Sequence, residues 1–188
     1  MKKVILIHGY TSSPKRRKNQ IIAEELAKLG VECSIPALPG EERPHSQEWL
    51  KIIDKEVKKS DEPVVLVGHS LGTRAVLLYL DKFNKKVDAV ILMAPFNNNF
   101  KENRKRRDGK YADFFDYSLD IEKIKKLANK FIVVHSTDDE SIDYQQGVDI
   151  SKELGAELIT YKDVGHLSGD ENAERNAECF LKVIKLVL

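Results

Sequence analysis

Gly68-His69-Ser70-Leu71-Gly72 sets a serine between two glycines at two-residue spacing. The apolar run Val64-Val65-Leu66-Val67 leads into it, and a helical pattern over residues 73–83 leads out. A strand that turns sharply into a helix lifts the side chain at the turn above the sheet edge. The helix N-terminus behind it favours developing negative charge. The glycines have a steric reason, since so tight a turn brings the first and fifth backbone positions against the serine, where a Cβ would clash. The chemistry this predicts is nucleophilic attack by Ser70. The bland alternative is a glycine-bracketed turn with no chemistry, and the strand–turn–helix setting argues against it.

A serine hydroxyl is a poor nucleophile until a base takes its proton. Downstream of Ser70 the sequence offers His135 and His166. His135 ends an apolar strand pattern and reads as a packed or capping side chain. His166 lies in Asp163-Val164-Gly165-His166, in a loop between the last strand pattern and the final helix. A base reaching over a sheet must sit there. Ser136-Thr137-Asp138-Asp139-Glu140 offers three carboxylates after the fifth strand, at least two of which serve a turn or a helix cap. Asp163, three residues before the base, reads as a brace for its loop. An oxyanion needs two backbone donors. Leu71 supplies one, and the loop His8-Gly9-Tyr10 after the first strand supplies the other, with His8 as a structural residue.

The elements that must position these groups are legible as alternating patterns. Apolar runs at residues 3–7, 31–35, 64–67, 87–93, 131–135 and 156–161 read as strands. Ser13-Pro14 marks a helix start and Gly30 its end. Further helices are expected from near Ser46, over residues 73–83 and 145–154, and over 171–188. Alternation from end to end predicts an α/β class with a mostly parallel sheet and helices on both faces. If the first and third strands are neighbours and the second lies outside, the strand order reverses between them, and ligands bind at such a point. One long interruption, residues 95–119, holds Phe96, Phe100, Tyr111, Phe114, Phe115 and Tyr117. It reads as a cap-like insertion, with Phe114 and Phe115 expected to shape a substrate pocket.

Composition narrows the field. At 188 residues the chain is expected to be one domain. Lys+Arg is 31 against Asp+Glu 30, a net charge of +1, which gives no reason to expect nucleic acid or a membrane. Two cysteines exclude a disulfide scaffold. No targeting segment is recognisable, so a cytoplasmic location is expected. Two basic clusters stand out, Lys15-Arg16-Arg17-Lys18 and Arg104-Lys105-Arg106-Arg107. Both follow strands whose C-terminal ends face the proposed site, so both are placed to rim one cleft. The alternative is a solvated helix face and a loop.

The Gly68-to-Gly72 motif, the Ser136-Thr137-Asp138-Asp139 run and Gly165-His166, in this order, resemble the α/β-hydrolase superfamily. The closer resemblance is to its small single-domain serine hydrolases, similar to retinoblastoma-binding protein 9 and bacterial YdeN. It extends over nearly the whole chain, including Leu38-Pro39 and Trp49-Leu50. The resemblance implies Ser70 as nucleophile, His166 as base and Asp139 as orienting acid. It implies a three-layer sandwich on a six-stranded parallel sheet, order 2-1-3-4-5-6, and no metal or cofactor. Where the family often has a hydrophobic-Pro pair after the acid, this chain reads Ile142-Asp143. The expected activity is carboxylesterase-like hydrolysis of a small ester, thioester or amide through an acyl-enzyme on Ser70. The alternative is an interaction module that keeps the fold with catalysis weakened or lost.

Overall fold

A computed structural model describes residues 2–188. The first apolar run forms β1 (Lys3–Ile7), followed by a loop and α1 (Arg17–Lys28). Ser13 and Pro14 stand ahead of this helix instead of opening it. The Ser13 carbonyl is spent on a turn, accepting from the Arg16 amide at 3.2 Å and from Asn19 Nδ2 at 2.8 Å, so winding starts later than the cap signal suggests. Next come β2 (Glu32–Ser34), α2 (Ser46–Lys58), β3 (Val64–His69) and α3 (Leu71–Phe83). Ser70 is the single residue between β3 and α3. The chain continues through β4 (Val87–Met93), the short helices α4 (Phe100–Asn103) and α5 (Ile121–Ile124), then β5 (Ala128–Ser136), α6 (Tyr144–Leu154), β6 (Glu157–Tyr161) and α7 (Ala173–Ile184).

The six strands pair in the order β2-β1-β3-β4-β5-β6, every pair parallel. This is an α/β-hydrolase-like sheet with the expected strand order. Side chains alternate across it, as a two-residue period demands. Ile5 and Ile7 of β1 and Leu66 of β3 face a core filled from α2 and α3 by Trp49, Ile53, Val76 and Tyr79. Val4, Leu6, Val65 and Val67 face the other way, against Ile22 and Leu26 of α1 and Phe180 and Ile184 of α7. The order reverses between β1 and β3, and the loops after these two strands open at that crevice.

Residues 95–119 fold back onto the sandwich through buried rings. Phe114 packs edge-on against Trp49 of α2, ring centroids 5.1 Å apart, and Phe115 against Phe96, also 5.1 Å. Arg74 of α3 fastens the segment from below. It is almost fully buried, and it donates to Phe114 O at 2.8 Å, Tyr117 O at 2.7 Å and Asn98 Oδ1 at 3.2 Å. Burial pushes its pKa down to about 10, so it stays charged at neutral pH while stitching three acceptors together. Asp113 in the same segment accepts the Ser46 amide at 2.7 Å and so caps α2, whose own N-cap residue His45 makes no capping side-chain hydrogen bond among the described residues.

Candidate active site

The turn between β3 and α3 forces Ser70 to φ 54° and ψ −123°, a conformation worth roughly 1–3 kcal/mol of strain for a residue with a Cβ. The surroundings hold it there. The Ser70 amide donates to Met93 O at 2.9 Å, and Thr73 Oγ1 donates to Ser70 O at 2.6 Å. The two glycines of the motif are required by close approach. A Cβ on Gly68 would meet Thr73 Cα at 2.6 Å, and one on Gly72 would meet Ile7 O at 2.1 Å. From the facing loop, Gly9 approaches so closely that a Cβ there would stand 3.0 Å from Ser70 Cβ. Leu71 opens α3, so its amide has no acceptor within the helix. Leu71 and Tyr10 line the same pocket as Ser70.

His166 sits in a tightly wound loop after β6. Asp163, Gly165 and Leu167 all take positive φ, at 59°, 54° and 55°. His166 Nδ1 lies 2.8 Å from Asp139 Oδ2. A carboxylate can only accept, so Nδ1 carries the proton and Nε2 is left to receive one. Asp139 itself is buried and fully engaged. Its Oδ1 accepts the amides of Ser141 at 2.8 Å and Ile142 at 2.9 Å, and its Oδ2 also lies 3.1 Å from His135 Nε2. Burial alone would raise its pKa. The hydrogen bonds from His135 and His166 outweigh that and hold the carboxyl well below its usual range.

Several neighbours differ from their sequence reading. Asp138 turns outward, where its carboxylate accepts the Gly165 amide at 3.2 Å. The brace for the histidine loop is therefore Asp138, from another strand's end. Asp143 accepts the Gln145 amide at 2.7 Å and caps α6, a role that fits its place after the acid. His135 does pack as expected, but it also touches Asp139. Among the described residues its Nδ1 has no hydrogen-bond partner, and it lies against Gly147, where a Cβ would come within 2.3 Å of it. Phe114 and Phe115 are not among the side chains lining the pocket. Both have zero exposure and belong to the core, and it is Phe96 and Tyr111 of the same segment that wall the pocket, which holds about 280 Å³.

Two groups beneath the site escaped sequence reasoning. His69 Nε2 donates to His166 O at 2.9 Å, so the residue before the serine supports the histidine loop. Burial first, then the nearby Lys18 and His166, hold the His69 pKa well below its usual value. Lys18 is 6% exposed and donates to Leu167 O at 2.8 Å, with its ammonium 4.2 Å above the Phe180 ring. The only earlier sign of it was membership of a basic cluster. Burial pushes its pKa down from 10.5 to about 7, against a smaller opposing pull from Asp170. Between those two pH values the unfolded chain binds a proton that the folded chain does not. Stability must therefore rise with pH across that window and show no slope from this group below it. We expect Lys18→Met to be more stable than wild type near pH 7, with the gap closing as pH approaches 10. Urea unfolding at several pH values checks this, and parallel curves for the two proteins would refute it.

The profile of the serine hydrolase family matches residues 4–181. The chain belongs to that family. It is 27% identical to YdeN of Bacillus subtilis over 172 residues, 90% of this chain and 88% of that one. The crystal structure of the B. subtilis ydeN gene product superposes with a TM-score of 0.87 at 24% identity, covering 100% of this chain and 98% of the other. Est1E from Butyrivibrio proteoclasticus, in a structure with ferulic acid bound, gives 0.80 at 20% identity and covers 100% and 89%. A carboxylesterase structure from the thaumarchaeon Nitrososphaera gargenis gives 0.72 at 14%, covering 99% and 90%. Among the described residues no helix of this serine hydrolase is long and apolar enough to cross a membrane.

Proposed function

We propose that this serine hydrolase is a carboxylesterase-like enzyme that cleaves a small acyl substrate through a covalent intermediate on Ser70. His166 Nε2 takes the Ser70 proton as Oγ bonds to the carbonyl carbon. The Leu71 and Tyr10 amides take the charge that gathers on the carbonyl oxygen. The leaving group departs with the proton from His166. A water, deprotonated by the same nitrogen, then releases the acid and restores Ser70.

The observation that carries this reading is the 2.8 Å bond from His166 Nδ1 to a buried, four-fold satisfied Asp139, at the rim of a pocket that also exposes Ser70. A pocket of about 280 Å³ suits a short acyl group. The ferulic acid bound by Est1E, itself the product of such a reaction, is in keeping with it.

A fluorophosphonate probe tests the reading, because it traps only an activated serine. Wild-type protein is expected to label and to hydrolyse short-chain 4-nitrophenyl esters, and Ser70→Ala to do neither. Well-folded wild type that takes no label would overturn the proposal and favour a non-catalytic interaction role.

A further inference from the structure

The chain is nearly neutral, yet its pocket is not. Four basic side chains line it, Arg16, Lys18, Arg106 and Arg107, against the single carboxylate, among the described residues, of Asp170. Both basic clusters of the sequence thus meet in one cleft. The four differ in what they have left to offer. Arg16 is spent on Asp170, Nη1 to Oδ2 at 3.0 Å. Lys18 donates to Leu167 O under the Phe180 ring. Arg106 bonds the Ser141 carbonyl and leans on Phe96, its guanidinium carbon 5.6 Å from the ring centroid. Its buried Nε–H finds no acceptor among the described residues. Arg107 is exposed, and among the described residues it makes no ion pair. It takes a left-handed backbone conformation, φ 50° and ψ 43°, beside Asp108 in another.

Building on the acyl-transfer reading, we propose that the site takes esters bearing a carboxylate, and that Arg107, next to Arg106, is the group that reads the anion. The exposed Arg107 guanidinium at the pocket wall offers charge-assisted hydrogen bonds to a carboxylate, and Arg106 and Arg107, which have no carboxylate partner among the described residues, raise the local concentration of anions. Neutral esters gain neither. Arg106 leans on Phe96, and both arginines line the pocket together with Phe96 and Tyr111.

The test compares the mono-4-nitrophenyl ester of adipic acid with 4-nitrophenyl hexanoate, which share the leaving group and the chain length. We expect kcat/KM to favour the adipate ester by about tenfold or more at low salt, the ordinary return of a charge-assisted bond. The advantage should shrink toward 1 M salt, where the screening length falls to about 3 Å. Arg107→Gln should collapse the ratio of the two esters through the KM of the anionic one, and Arg107→Lys should recover part of it. A wild-type ratio near one overturns the proposal. So does a ratio that Arg107→Gln leaves intact. Calorimetry on Ser70→Ala with both esters separates this from the underlying chemistry. If the variant prefers the adipate ester while wild type turns over neither, acyl transfer is wrong and the anion site stands. Equal turnover of both esters by wild type means the reverse.

Discussion

Replacing Asp139 with asparagine is expected to lower kcat for a short-chain ester by about 10⁴. The geometry explains why a substitution of equal size should cost so much. Oδ1 of Asp139 accepts two backbone amides, from Ser141 and Ile142, and the asparagine oxygen can keep both. The new amide nitrogen then occupies the place of Oδ2, facing His135 Nε2 and His166 Nδ1. It can only donate, and so can a protonated Nδ1. His166 escapes by moving its proton to Nε2, the nitrogen that should receive one from Ser70. His135 keeps the Ile142 carbonyl at 3.0 Å, so the fold around the acid should survive. Asp138→Asn is the control. That side chain is exposed, and it braces the Gly165 amide with an oxygen that asparagine retains, so an effect of no more than several-fold is expected. Measuring kcat for both variants, with circular dichroism to check folding, decides the assignment. Were Asp138→Asn the crippled protein, the acid would be one residue earlier than we place it.

What the sequence could reveal follows the range of the interactions involved. The serine turn, the histidine loop and the alternation of strands and helices are local patterns, written in consecutive residues. They reappear in the structure, some strands with their bounds unchanged and others with boundaries moved by up to four residues, the last helix ending at Ile184 rather than Leu188. The start of α1 moved because the Ser13 carbonyl was taken by Asn19, a competition between side chain and backbone that a cap rule does not weigh. Roles set by distant chain segments stayed hidden. Nothing near Asp113 announces that it caps a helix beginning at Ser46. Asp163 lies closer in sequence to His166 than Asp138 does, yet the sheet brings Asp138 to the loop through the β5–β6 pairing. The aromatic insertion was recognisable as something that must bury rings. Which rings reach the pocket depends on Arg74, whose three bonds draw Phe114 and Phe115 inward and leave Phe96 and Tyr111 at the wall. Lys18 and His69 form a buried polar layer beneath the His166 loop, and their chemistry is a consequence of burial that composition does not express.

Gly72→Ala should cost much of the stability and the activity, although it adds one methyl group. The added Cβ would lie 2.1 Å from the Ile7 carbonyl oxygen and 2.8 Å from that of His8. Neither obstacle is a flexible side chain that can swing away. Ile7 ends β1, a central strand paired on both sides, to β2 and to β3. Relief therefore requires α3 to back away from the sheet, or β1 to shift out of register. The first opens a core interface where Leu71, Ala75, Val76 and Tyr79 are fully buried. The second disturbs Gly9 and Tyr10, the loop that faces Ser70. Overpacking against rigid backbone belongs to the rare class of substitutions that cost more than about 4 kcal/mol. Taken from an ordinary stability of about 5–15 kcal/mol, a loss of that size removes a large share of the total and lowers the melting temperature by roughly 10 °C or more. Gly165→Ala supplies the contrast. That position, unlike Gly72, has positive φ, at 54°, but apart from its chain neighbours no atom of the described residues lies within 4 Å of where its Cβ would stand. Only backbone strain opposes the change, about 1 kcal/mol, so the variant should fold and melt a few degrees lower. Thermal unfolding of both proteins tests the distinction. If Gly72→Ala melted as close to wild type as Gly165→Ala, the contact between α3 and β1 would have to be looser than this geometry makes it.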